Sequence, residues 1–301
     1  MTHSPLRIGI IGIDSSHAPT FTQLLNDNEH PFHVTGGKVT VAYPGGSPDF
    51  EMSYSRIEGF TTQLRDRGVT IVDSPEEVAA NCDGILMTSV DGRIHLEQFR
   101  RVLSYRKPIF IDKPMTVSSA EAREIIALAQ QNNIPLMSCS SLRYAEELTI
   151  ALHAADNSPI IGMDCYGPMA LQATQPGLFW YGVHTVEMLF RVLGKNCLHV
   201  TAATTEDHDV ITGVWDNGVI GTIRGNRKGN GQFGALIHQE SRTQFVDVNK
   251  HPKPYYASLL EKIMSMFVTG SPEIDAEETV QIIRFMEAAN ESRQTGLTVN
   301  L

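Results

Sequence analysis

Residues Ile8 to Ile13 read Ile-Gly-Ile-Ile-Gly-Ile, an unbroken apolar run that ends near a glycine and gives way to Asp-Ser-Ser-His. A strand that is apolar on both faces needs cover on both faces, which a parallel sheet flanked by helices supplies. The residues that follow keep to that scheme. Ala18 to Asn28 reads as a helix, with Ser15 or Ser16 available as its cap and Pro19 tolerable in its first turn. Val39 to Tyr43 reads as a second strand stopped by Pro44-Gly45-Gly46; a charged helix around 55–67 then leads to a strand at 69–72. Ser74-Pro75-Glu76-Glu77 places a cap, a first-turn proline and early acids at a helix start. Further strands are expected at 84–89, 109–111 and 135–140, with helices over 95–104 and 121–132 between and around them. Strand alternating with helix predicts a Rossmann-type doubly wound parallel sheet over residues 1–141.

After about residue 160 the pattern changes. An apolar helix over 184–193 is followed by strand-like segments near 198–204, 210–215, 219–224, 233–238 and 243–248, with Asp216-Asn217-Gly218 as a hairpin signal. Residues 142–301 are expected to form an α/β domain on a largely antiparallel open sheet. An amphipathic helix over 277–292 closes it and packs back on the first domain. With 301 residues, two such domains are the expected number. The alternation Val210-Ile211-Thr212-Gly213-Val214-Trp215 gives the sheet an outer face unusually apolar for solvent. A homodimer or higher homo-oligomer through that face is expected.

The formal net charge of −10 argues against nucleic acid or an anionic membrane as partner, since either calls for a dense basic face. No stretch approaches 18 unbroken apolar residues. Cys82, Cys139, Cys165 and Cys197 are scattered without metal-ligand spacing and read as free thiols of a reducing compartment. The N-terminal Met1-Thr-His-Ser-Pro-Leu-Arg lacks the apolar core of a signal peptide, so cytoplasmic residence is expected. Asp14, His17, His95 and His184 come from four separate places without ligand spacing, and no metal is expected.

The strand–turn–helix at Gly9 to Leu25 is where a dinucleotide's pyrophosphate would sit, because helix N-terminal amides attract anions and glycine lets the backbone approach. Counted from Gly12, the second and third positions of the Gly-x-Gly-x-x-Gly fingerprint hold Asp14 and His17. Asp14 either sets a carboxylate near phosphate or turns away to cap the loop; Ser15, Ser16 and His17 offer donors in place of the glycines. The second strand offers no carboxylate for a ribose before Asp49, so NAD and NADP are not separated.

Lys107 to Thr116 reads Lys-Pro-Ile-Phe-Ile-Asp-Lys-Pro-Met-Thr, a buried strand that delivers Asp112-Lys113-Pro114 to its C-terminal end, the ligand side of a parallel sheet. A lone Lys-Pro is ordinarily a solvated turn. Its neighbours change that reading: Thr88-Ser89 and His95-Leu96-Glu97 precede it, Ser118-Ser119-Ala120-Glu121-Ala122 follows, then Leu142-Arg143-Tyr144, then Gly177-Leu-Phe-Trp-Tyr-Gly-Val-His184-Thr-Val-Glu187. This order resembles the glucose–fructose oxidoreductase, inositol dehydrogenase and MocA (Gfo/Idh/MocA) family, as a divergent member. Asp112 stands where the family carries Glu before Lys-Pro. Gly182 and His184 match the family's Asp-x-Gly-x-His-x-x-Asp, Glu187 stands for its last acid, and Trp180 takes the place of its first.

The resemblance implies NAD(P)-linked oxidation or reduction at a carbinol of a sugar, inositol or related polyol derivative. It implies that Lys113 and His184 are catalytic and face each other across the nicotinamide pocket. The cofactor side would draw on Gly12, Asp14, Ser15, Ser16, His17, Thr88, His95, Asp112, Lys113 and Pro114; the substrate side on Arg143, Tyr144, Trp180, Tyr181 and His184. Such chemistry needs a base for the hydroxyl proton, a role that suits histidine near neutral pH, and a cation to hold the oxygen. Glu187 is either a group that orients the His184 ring or an exposed helix acid. Two other functions stand beside this one: a sensor that kept the fold and lost turnover, and a lyase or glycosidase that oxidises transiently and recycles its cofactor.

Overall fold

The computed structural model describes residues 4–154 and 158–301; residues 1–3, and with them the reading of the N-terminus, lie outside the described residues, as do 155–157. The chain divides into two units. The first comprises the chain to Thr116, Ala120–Cys139 and Tyr256–Ala276; the second comprises Val117–Ser119, Ser140–Tyr255 and Glu277–Leu301.

The first unit begins β1 (Leu6–Ile11), α1 (His17–Asn26), β2 (Gly37–Tyr43), α2 (Glu51–Tyr54), α3 (Ile57–Asp66), β3 (Thr70–Ile71) and α4 (Pro75–Ala80). It continues through β4 (Gly84–Met87), α5 (His95–Val102), β5 (Ile109–Asp112), α6 (Ser119–Gln131) and β6 (Leu136–Cys139). Its sheet has the order β3-β2-β1-β4-β5-β6 with every pairing parallel. Ile8, Ile10, Ile11, Ile85, Leu86, Met87, Ile109, Phe110 and Ile111 are fully buried, as strands covered on both faces require. The α4 start is built as its sequence reads: Ser74 Oγ accepts from the Glu77 amide, with Pro75 in the first turn. The start of α1 differs, because Ser16 makes no side-chain cap and Ser15 Oγ instead accepts from His17 N at 3.3 Å.

In the second unit come α7 (Glu146–His153), β7 (Ile160–Pro168), α8 (Gly182–Leu193), β8 (Cys197–Thr204), β9 (His208–Trp215), β10 (Ile220–Asn226), β11 (Gly234–Gln239) and β12 (Thr243–Asp247). Then α9 (Tyr255–Thr269) is followed by α10 (Ala276–Thr295) and β13 (Val299–Asn300). The second sheet runs β12-β11-β7-β10-β9-β8-β13; β7 and β10 are parallel and the other pairs antiparallel. Its inner face packs on α8 and α10, where Phe190 meets Trp215 and Phe285 edge-on at ring-centroid distances of 5.6 and 5.7 Å. Strand β9 alternates as expected: Ile211 and Trp215 point inward, Val210 outward. The outer face carries Val210, Ile220, Leu236 and Phe245, the last 64% exposed.

Helix α9 belongs to the first unit and α10 to the second. Met264 and Phe267 of α9 seat against Gly37 and Gly84, where an added Cβ would lie 2.7 Å from the Met264 methyl and 2.6 Å from the Phe267 ring. These close approaches require residues without side chains at the starts of β2 and β4.

Candidate functional site

In the first unit, β1 gives way to Gly12, whose φ of +91° and near-contact with Ser89 exclude any other residue: an added Cβ would lie 2.2 Å from Ser89 Oγ. Thr88 Oγ1 donates to the Gly12 carbonyl at 2.6 Å. Asp14 is fully buried and turned into the unit, accepting from Ser53 Oγ of α2 at 2.6 Å and from Val90 N at 3.1 Å. Burial raises its carboxyl above the ordinary range, and these two donors oppose the rise. Of its two possible orientations, the chain adopts the cap. The amides of Ser15 and Ser16, at the entry to α1, meet no acceptor among the described residues. Open amides at a helix N-terminus, with no carboxylate turned toward them by Asp14, fit a pyrophosphate. Asp49 is paired with Arg93 through two hydrogen bonds of 2.9 Å, and Arg93 also holds the buried Asp91.

His17 is buried, with its Nδ1 paired to Asp112 Oδ2 and its ring edge-on to Tyr256, centroids 4.9 Å apart. Asp112 closes β5, and its other oxygen accepts the Lys113 amide at 2.8 Å. Burial pushes the Asp112 carboxyl up, but His17 and the Lys113 charge and amide outweigh it and hold it below the usual carboxylate range. Burial lowers the Lys113 ammonium below the ordinary lysine value, with the Asp112 charge opposing. The Lys113–Pro114 peptide is cis. His95 is fully buried; its Nδ1 lies 3.1 and 3.0 Å from the Pro114 and Met115 carbonyls and its Nε2 3.0 Å from the Ser89 carbonyl. The side chains of Thr88 and His95 are therefore spent on backbone carbonyls that frame the glycine loop and the lysine turn.

In the second unit, His184 lies in the first turn of α8, its Nδ1 2.7 Å from Ser140 Oγ. Tyr181 and Phe233 present edge contacts to the ring at centroid distances of 5.5 and 5.6 Å. Trp180 is buried beside Tyr181, 6.1 Å between centroids. Glu187 does not act on the ring directly. It is buried, 3.3 Å from Arg143 Nη1, and accepts the Ser140 amide. Arg143 is 4% exposed, and its other nitrogen reaches Glu278 at 2.5 Å. Burial pushes the Glu187 carboxyl up to about 7; Glu278 adds to the rise and Arg143 opposes it. Arg143, a substrate-side candidate in the sequence, thus spends its guanidinium on two carboxylates. Tyr144 is buried with the Arg191 guanidinium 5.7 Å over its ring.

Two residues of this cluster escaped the sequence reading. Ser140 sits two places before Leu142-Arg143, next to a recognised motif but not in it. Glu278 lies on α10, and no local pattern ties it to Arg143. Among the described residues, no group of three or more His, Cys, Asp and Glu side chains is placed to hold a metal ion, and no helix is long and apolar enough to cross a membrane. The four cysteines are free and buried.

Comparison with known proteins bears on both units. An uncharacterized oxidoreductase of Escherichia coli (strain K12), YhhX, is 26% identical over 114 residues, which span 34% of this chain and 32% of that protein. The match thus covers about a third of the curated relative. Among solved structures, GenD2 from gentamicin A biosynthesis, in complex with NAD, superposes with a TM-score of 0.80 at 16% identity, covering 100% of this chain and 97% of that one. A myo-inositol dehydrogenase from Corynebacterium glutamicum gives 0.79 at 16%, covering 99% of each chain. The Lactobacillus casei enzyme, in complex with NAD(H) and myo-inositol, gives 0.79 at 12%, covering 99% and 97%. At these identities the structures speak for the shared fold. Residues 6–139, somewhat under half of the chain, match the model described as the oxidoreductase family with an NAD-binding Rossmann fold, GFO_IDH_MocA, and the match spans the glycine loop and the Asp112-Lys113-Pro114 turn.

Proposed function

We propose that the protein is an NAD(P)-dependent oxidoreductase that acts at a carbinol of a sugar, inositol or related polyol derivative. The observation that carries this reading is the Asp112–Lys113 pair at the C-terminal end of β5, with a lysine whose ammonium is already destabilised by burial, in the same unit as the open amides of α1. Oxidation of a carbinol removes a hydride from carbon and a proton from oxygen. A bound NAD(P) supplies the hydride acceptor. His184 takes the hydroxyl proton, and Lys113 holds the oxygen and balances the charge that develops there. Asp14, His17 and Trp180 are the departures from the family pattern that would suit a sensor; Asp14 and His17 are both turned into the framework of their own unit and do not argue against a nucleotide. The inositol dehydrogenases among the structural relatives support a polyol as substrate. Four buried free thiols suit cytoplasmic residence.

The test is appearance of reduced nucleotide with a panel of inositols, sugars and sugar acids. Absence of nucleotide-dependent turnover across the panel would set the proposal aside. Binding is checked separately: nucleotide at 100 times its dissociation constant should stabilise the fold by about 2.7 kcal/mol. An unchanged melting temperature with both NAD and NADP at millimolar concentration would count against a cofactor site. A second expectation concerns assembly. Val210, Ile220, Leu236 and Phe245 put apolar surface on the outer face of the second sheet, so a homodimer or higher homo-oligomer is expected in solution. Light scattering that reports a monomer at micromolar concentration would refute it.

A further inference from the structure

We propose that Ser140 is the positioning residue for His184, holding the ring by Nδ1 in every proton state so that Nε2 is the nitrogen that meets the substrate oxygen. The inference rests on the role given to His184 above. Ser140 is fully buried at the point where the chain leaves β6, and its Oγ is 2.7 Å from His184 Nδ1. The same oxygen accepts the Leu142 amide at 3.2 Å. A hydroxyl has one hydrogen and two lone pairs. With one lone pair given to Leu142, it keeps one hydrogen and one lone pair for the ring.

That pairing follows the imidazole through its cycle. When Nε2 carries the only ring proton, the hydroxyl donates to Nδ1. When Nδ1 carries it, or when both nitrogens do, the hydroxyl turns and accepts from Nδ1. A carboxylate in the same place would only accept, and would fix the proton on Nδ1. Ser140 therefore allows His184 to give a proton from Nε2 or to take one there without losing its hold, as a reaction run in either direction requires.

The hydroxyl is itself well anchored. Its backbone amide donates to Glu187, which Arg143 holds at 3.3 Å, and Arg143 is fixed in turn by Glu278. The residue after it opens the short 3-10 turn Ser141–Tyr144, for which Ser140 is the cap. Tyr181 and Phe233 bracket the ring edge-on, so its remaining freedom is small. The buried ion cluster thus acts on His184 through a serine, not through a carboxylate on the same helix.

Two measurements on the full chain test this. The side-chain nitrogen resonances of His184 are recorded by 15N NMR in wild type and in Ser140→Ala. The His184 Nδ1 resonance is expected to move, while those of histidines in the first unit stay in place. Kinetically, Ser140→Ala should lower kcat about tenfold, the worth of one hydrogen bond, with KM little changed. In a His184→Ala background the same substitution should cost nothing further. An unmoved His184 Nδ1 resonance, or an equal loss in both backgrounds, overturns the assignment. If the wild type turns over no polyol, the functional reading falls and the ring resonances still decide Ser140.

Discussion

Lys113→Ala and His184→Ala should each lower kcat by on the order of 10²–10⁴ on the polyol that is turned over, while the fold and the affinity for nucleotide stay close to wild type. The reason is chemical. In the proposed mechanism each group serves only where charge and proton are in motion, so its loss would fall on the transition state and leave cofactor binding largely intact. Lys113 has an added vulnerability: burial already lowers its ammonium pKa, and the charge of Asp112 opposes this. Asp112→Asn should therefore depress activity in the same direction with Lys113 still present. Steady-state kinetics with both variants, alongside nucleotide titration, make the check. Wild-type rates in either alanine variant would remove the mechanistic claim.

Arg143→Met should destabilise the second unit by about 3–5 kcal/mol at neutral pH, the usual consequence of removing one partner from a buried ion cluster. Two carboxylates, Glu187 and Glu278, share this single guanidinium, so its removal leaves them facing each other. The pH dependence follows from Glu187. Its carboxyl is raised from 4.5 to about 7, so the folded chain binds that proton more tightly than the unfolded chain does. The stabilisation from this group is complete below 4.5 and is lost as pH rises through 7. Glu187→Gln should flatten that slope, and Arg143→Met should steepen it. Urea midpoints measured on both sides of the window decide the matter; a slope in Glu187→Gln equal to wild type would show that another group titrates there.

What could be read from the sequence and what could not divides along physical lines. The parallel sheet was legible because its strands are apolar without interruption and its helices announce themselves, as Ser74-Pro75-Glu76-Glu77 does. The second sheet's strands from Cys197 onward were legible through alternation. Helix α9 was not, since eight of its residues are buried and its exposed stripe is narrow, Glu261, Lys262, Ser265 and Thr269 with the apolar Val268 among them. Strand β7 was missed because glycines and a proline interrupt it, and its pairing with β10 is long-range. Among the candidate residues, Gly12, Lys113 and His184 were singled out through motif context. The inward turn of Asp14 depends on Ser53 and Val90, and the burial of Arg143 depends on Glu278. Neither dependence leaves a local trace in the sequence.

The return of α9 to the first unit has a consequence for how the protein is made. A ribosome that has released β6 has released every strand of the first sheet, but not the helix whose Met264 and Phe267 seal the glycines of β2 and β4. That seal arrives only after β7 to β12, every strand of the open sheet but β13, have emerged. The nascent first unit therefore waits with an uncovered apolar seam while the second sheet is synthesised. A fragment cut after Cys139 would keep that seam permanently, as a truncated chain and not as a smaller domain.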